Sequence, residues 1–161
     1  MDERELRVAV EELQYGYARC IDSNRLEEWP EFFTDPCVYQ IMPRENAEQD
    51  WPIAVVYCDS QGMLQDRVVA HRKANLYAPH SYRHLLSGIS VLNYESGVIT
   101  AHANYAVYRT LLDAVNYGHS ELFSVGEYRD TIVVAGGKAK FREKTVLVDT
   151  ARILSLLVTP L

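Results

Sequence analysis

Four long runs of alternating residues, separated by turn chemistry, fill the chain from Tyr82 to Asp149 and leave it few ways to fold. Leu85, Ser87, Ile89 and Val91 alternate with an opposite face until Glu95-Ser96-Gly97 supplies a turn. Ile99, Ala101, Ala103, Tyr105 and Val107 follow, then Asn116-Tyr117-Gly118. Leu122 to Val134 forms a third run, and Phe141 to Asp149 a fourth. Gly136-Gly137 between them reads as a hairpin turn, because both glycines accept positive φ. Strands this long pack only when twisted, so the pattern predicts a strongly curved, mostly antiparallel sheet that cradles whatever precedes it.

The front half carries a helical period instead. Leu6, Val10, Leu13, Tyr17 and Cys20 fall on one helical stripe, and Asp2 with Glu5 has capping-box spacing. Asn24 and Glu27 repeat that spacing before Leu26, Trp29, Phe32 and Phe33, and Pro36 disfavours helix at the residue before it. Helices over 2–21 and 24–34 are expected, as a helical hairpin. Val38 to Met42 reads as a short strand, 43–50 as a polar connection and Trp51 to Cys58 as extended. Ser60 caps a third expected helix, from Gln61 to about Asn75, with Leu64 and Val68 one turn apart. No repeat or linker interrupts 1–161, so one domain is expected.

Charge narrows the partners. The net charge is -6, and no Lys/Arg cluster stands out, which argues against a phosphate backbone as ligand. The opening Met1-Asp2-Glu3-Arg4-Glu5 is too charged for a signal peptide, and no apolar run is long enough to span a bilayer. Cys20, Cys37 and Cys58 are an odd, widely spaced set, read as buried thiols of a cytoplasmic protein.

The usual chemical motifs are missing. There is no Gly-rich phosphate loop, no C-x-x-C and no H-E-x-x-H. A Rieske cluster needs paired cysteine and histidine ligands, and none of the cysteines has a histidine within three residues. His80 and His84 lead into a strand pattern, where four residues rise roughly 13 Å, too far for two nitrogens on one ion. His71, His102 and His119 are scattered, and read as surface or hydrogen-bonded structural residues. Asp22 sits in the turn between helices, where a short acceptor bonds the local backbone. Asp130 and Asp149 lie among Arg129, Arg142, Lys144 and Arg152, so ion pairing accounts for them.

Glu12 to Pro43, EELQYGYARCIDSNRLEEWPEFFTDPCVYQIMP, resembles the opening of the small (beta) subunits of bacterial Rieske-type ring-hydroxylating dioxygenases, with Trp29, Asp35, Tyr39 and Pro43 as matching positions. Tyr57-Cys58-Asp59, Leu64, Arg67 and Arg83-His84 continue the likeness, as do Phe123, Gly126, Tyr128-Arg129-Asp130, Arg142 and Leu147-Val148-Asp149. Two positions depart from the pattern: Tyr82 stands where an arginine is common, and Val148 where a leucine is. The resemblance implies an α+β cone like those of nuclear transport factor two and ketosteroid isomerase, with three front-half helices packed on a mixed sheet. It implies a cytoplasmic complex of three large (alpha) and three small subunits. The Rieske [2Fe-2S] cluster and mononuclear iron then belong to the large subunit, the complex dihydroxylates an aromatic substrate, and this chain has no catalytic residue, cofactor or metal of its own.

Two further features bear on docking. The run Ile153 to Leu161 is almost wholly apolar, and each large side chain in it is worth roughly 1.5–3 kcal/mol if buried, so it should pack on its own helices or on a partner. Eleven tyrosines supply side chains that cover apolar surface while keeping a hydroxyl satisfied. The alternative function is a stand-alone dehydratase, isomerase or polyketide-cyclase-like enzyme using the cone interior as its pocket, with Asp22, Tyr39, His84 and Asp130 as acid/base candidates. A binding module for hydrophobic metabolites is the third.

Overall fold

The computed structural model of the chain describes residues 1–73, 77–149 and 159–161. Helix α1 (Glu3–Asp22) starts where the capping box requires: Glu5 N–H donates to Asp2 Oδ1 and Asp2 N–H to Glu5 Oε2, both at 2.8 Å. Its stripe of Leu6, Val10, Leu13, Tyr17 and Cys20 is buried in full.

The second helix differs from expectation. It is a 3-10 helix of seven residues, Leu26–Phe32, with no side-chain cap. Pro30 lies inside it, and a proline there removes a donor and disfavours α geometry at the residue before it. Asn24 caps nothing; it adopts φ 56, and its side-chain oxygen accepts from Arg72 Nη1 at 2.8 Å.

Strand β1 (Phe33–Pro43) therefore begins before Pro36 and runs longer than the Val38–Met42 reading. A short α2 (Arg44–Glu48) interrupts the expected polar connection, and β2 (Val56–Cys58) is all of the 51–58 segment that forms strand. Helix α3 (Gln61–Lys73) follows, with Ser60 Oγ accepting from Met63 N–H at 3.3 Å; positions 74–76 lie outside the described residues.

Strands β3 (His80–Glu95), β4 (Val98–Leu111), β5 (Ser120–Ala135) and β6 (Lys138–Val148) are the four alternating runs, extended by a few residues. Gly136 and Gly137 turn between β5 and β6 with φ of 58° and 77°. The sheet order is β2-β1-β6-β5-β4-β3, antiparallel except for β1 beside β6. It is the mixed, mostly antiparallel sheet expected, and α1 packs on its inner face. Gly126 leaves no room for a side chain against β6: a Cβ there would lie 1.9 Å from the Leu147 carbonyl oxygen.

Aromatic rings fill the space between helix and sheet. Tyr17 meets Phe32, Phe33, Tyr128 and Phe141 edge-on at 5.5–6.3 Å, and Trp29 meets Tyr39 at 5.0 Å. All three cysteines are buried and free, and burial pushes the Cys20 and Cys37 thiols up to about 11.

Candidate functional site

The interior of the cone is where any chemistry would be, and it holds three polar groupings. The first joins the end of α1 to β3. Asp22 accepts the His84 backbone N–H at 2.9 Å and faces His84 Nδ1 at 2.6 Å. Asp22 thus serves a strand 62 residues away rather than its own turn, because its place at the last position of α1 points it at the sheet. Facing a carboxylate, Nδ1 is the ring nitrogen placed to donate to Asp22. Nε2 is buried and has no hydrogen-bond partner among the described residues, and the same holds for the Tyr128 hydroxyl.

A second grouping surrounds Leu161. The Tyr17 hydroxyl donates to the Leu161 main-chain oxygen at 2.6 Å, and the Leu161 N–H donates to the Tyr39 hydroxyl at 3.1 Å. Leu161 is fully buried. Burial dominates the Tyr39 phenol and pushes it up to about 12, a value at which it stays neutral and cannot serve as a base near pH 7. Of the apolar run read as a docking element, Thr159, Pro160 and Leu161 pack on the chain's own core; 150–158, with Arg152 among them, lie outside the described residues.

The third is a buried charge pair. Asp130 accepts from Lys144 Nζ at 3.2 Å and from Gln14 Nε2 of α1, while Gln14 Oε1 accepts from Lys144 at 3.1 Å. The ammonium lies 3.6 Å from the Tyr128 ring centroid, 4.3 Å from Phe141 and 4.7 Å from Tyr17, a cation–π cage. Desolvation pushes the Asp130 carboxyl up and the Lys144 amine down to about 8. Ion pairing accounts for Asp130, as expected. Asp149 instead pairs with Arg44 of α2, outside the strands.

The four acid/base candidates are thus divided. Asp22 and His84 meet each other, whereas Tyr39 holds Leu161 and Asp130 holds Lys144. Sequence reading missed Gln14, Tyr17 and Leu161 as polar partners. Gln14 sits one residue beyond Leu13 of the buried stripe, and that polar position on the core side was the one available signal. His80 and His84 lie on one strand, as expected; His80 Nε2 approaches Thr159 Oγ1 at 3.3 Å, and the buried His71 Nε2 approaches the same oxygen at 2.9 Å. Among the described residues no group of three or more His, Cys, Asp or Glu is placed to hold a metal ion, and no helix is long and apolar enough to cross a membrane.

The geometry can be set beside known proteins. Residues 17–155 match the family model of the ring hydroxylating beta subunit. The anthranilate 1,2-dioxygenase small subunit of Burkholderia cepacia is 41% identical over 149 residues, 92% of this chain and 90% of that one. A terephthalate 1,2-dioxygenase terminal oxygenase beta subunit of Comamonas sp is 34% identical, covering 91% of this chain and 92% of that one. A solved beta subunit assigned to an aromatic-ring-hydroxylating dioxygenase of Novosphingobium aromaticivorans superposes with a TM-score of 0.86 at 40% identity, over 97% of both chains. Fold, length and sequence agree throughout: the chain belongs to the beta-subunit family of ring-hydroxylating dioxygenases, as a small, scaffolding subunit of an oxidoreductase.

Proposed function

We propose that this chain supports a large oxygenase subunit acting on an aromatic carboxylate, in a cytoplasmic complex of three large and three small subunits. The carrying observation is that two of the three interior polar groupings are closed on themselves: Lys144 and Gln14 with Asp130, Tyr17 and Tyr39 with Leu161. A pocket enzyme needs such groups convergent and open to substrate. Here Tyr39 and Asp130, two of the four candidates, are committed to partners within the chain.

The Rieske cluster and mononuclear iron are assigned to the large subunit. The described residues suit neither: a Rieske cluster takes two thiolates and two imidazoles, and burial holds the Cys20 and Cys37 thiols protonated, while a mononuclear iron takes imidazoles with a carboxylate, and among the described residues no three such groups converge. The relatives' names support the substrate class: anthranilate and terephthalate are both benzene rings bearing a carboxylate.

Co-expression with a large oxygenase subunit, expected from a neighbouring gene, tests the proposal. The expected product is a brown, iron-containing complex that consumes dioxygen and NAD(P)H, with its reductase, when given anthranilate or terephthalate, while the small subunit alone is colourless and inactive. Unaided turnover of a ketone or alcohol by the small subunit would overturn the scaffold reading. Preference of the complex for an uncharged hydrocarbon would overturn the substrate reading alone.

A further inference from the structure

Residues 159–161 are held in the cone interior by side chains from four separate elements. Tyr17 of α1 and Tyr39 of β1 bracket the main chain of Leu161. The Tyr17 hydroxyl donates to its oxygen at 2.6 Å, and the Tyr39 hydroxyl accepts from its N–H at 3.1 Å. His71 of α3 and His80 of β3 meet the Thr159 hydroxyl at 2.9 and 3.3 Å. Among the described residues, every hydrogen bond of this segment runs to a side chain and none to a neighbouring strand. A few polar groups converging in an apolar pocket is how a ligand is held, not how a strand is paired.

The contacts of Thr159 also have a direction. Burial lowers the pKa of both imidazoles, so both rings are neutral near pH 7. The Ala78 carbonyl can only accept, so His80 Nδ1 donates to it at 2.8 Å and Nε2 is left to accept the Thr159 hydroxyl proton. The Thr159 oxygen then accepts from His71 Nε2, and His71 Nδ1 accepts from the Tyr77 hydroxyl at 3.2 Å. A side chain without a hydroxyl at 159 would leave both imidazoles short of this partner. Pro160 fixes φ between the two anchors, which limits the entropy lost on docking. Leu161 is fully buried, so the pocket reads an apolar side chain two residues after a hydroxyl.

We propose that the cone interior contains a peptide-binding site, occupied by the chain's own residues 159–161 and open to a short peptide of the same pattern once that segment's grip is weakened. The wild-type site is shut because an attached ligand acts at an effective concentration on the order of millimolar or above, which a free peptide must exceed. The inference goes beyond the scaffold reading, since it concerns what the small subunit itself binds, and it does not depend on the large subunit's substrate.

Thermal unfolding of the full chain with added acetyl-Thr-Pro-Leu is the test. Thr159→Val combined with Leu161→Ala weakens the attached segment at both anchors. The peptide should raise that variant's melting temperature by about 2–4 °C at five times its Kd, and wild type should not respond to the same concentration. Acetyl-Val-Pro-Ala, which lacks both anchors, should leave the variant unchanged. Adding Tyr39→Phe should weaken the peptide about tenfold. If the double variant fails to fold by circular dichroism, Thr159→Val alone, which keeps the Leu161 side chain, carries the same comparison. A folded variant that ignores acetyl-Thr-Pro-Leu, or answers equally to acetyl-Val-Pro-Ala, would overturn the proposal. So would a wild type that gains as much as the variant.

Discussion

Asp130 on β5 and Lys144 on β6 stand opposite each other in the antiparallel ladder, and their side chains meet at 3.2 Å with no exposure to water. Burial moves each toward its neutral form, Asp130 upward and Lys144 down to about 8, so desolvation outweighs attraction for both partners. Removing one partner leaves an unpaired buried charge. Asp130→Leu or Lys144→Met alone should therefore lose ~3–5 kcal/mol, while the two together should recover most of it. Urea unfolding of the four proteins measures the coupling, and additive losses in the double variant would refute this account.

Leu161 anchors to the core by its side chain and by both main-chain polar groups. Leu161→Ala should lose ~2–5 kcal/mol, the range for a large buried aliphatic side chain that leaves a cavity. Tyr39→Phe leaves the buried Leu161 N–H without its acceptor and should lose ~1–3 kcal/mol. Thermal and urea unfolding check both, and a Tyr39→Phe variant of undiminished stability contradicts the contact.

His71 gives the fold a defined response to acid. It is buried, its ring nitrogens meet Thr159 Oγ1 at 2.9 Å and Tyr77 OH at 3.2 Å, and burial lowers its pKa to about 4. The unfolded chain, with His near 6.5, binds more protons than the folded chain between those values, so stability rises with pH across that window. Acidification from pH 6.5 to 4 should remove ~1–3 kcal/mol through this residue. His71→Gln cannot titrate, and its stability should fall less steeply over the same range. Parallel curves for the two proteins would sink the assignment.

The extent to which these features were legible follows from their range along the chain. Period-2 alternation and the Gly136-Gly137 turn are local, and they placed the four long strands within a few residues. The capping box at Asp2 and Glu5 is equally local and appears as expected. Pro30 was also visible, yet the apolar spacing of Leu26, Trp29 and Phe33 suggested an α-helix that a proline at that position does not sustain. The interior contacts are long-range: Gln14 meets Asp130 across 116 residues, and Tyr17 meets Leu161 across 144. No spacing rule reaches that far, so Asp22 and His84 could be named as candidates but not joined.

Gly126 sets how closely β5 and β6 can lie. Any Cβ at that position falls 1.9 Å from the Leu147 carbonyl oxygen and 3.1 Å from the Tyr105 ring. The first clash is with backbone at the end of the β5–β6 ladder, where Gly126 pairs with Val148, and it can yield only by separating the strands there. Gly126→Ala should cost more than about 3 kcal/mol and send most of the protein to inclusion bodies. Soluble yield and melting temperature beside wild type are the measurements, and a soluble variant melting within a few degrees of wild type would be the contrary result.

The Asp22–His84 pair is the arrangement in this chain closest to a catalytic device, which makes it the sharpest test of a scaffolding role. A carboxylate on Nδ1 with an unpartnered Nε2 is how a general base is oriented, and loss of such a base commonly costs ~100- to 10,000-fold in rate. His84→Asn keeps a donor near the Nδ1 position, and the backbone bond from His84 N–H to Asp22 survives the change. In the assembled large–small complex, that variant should retain wild-type kcat within about threefold on an aromatic carboxylate, with iron content unchanged. A loss of a hundredfold or more in kcat, in a complex that assembles normally and holds its full complement of iron, would place chemistry inside the small subunit.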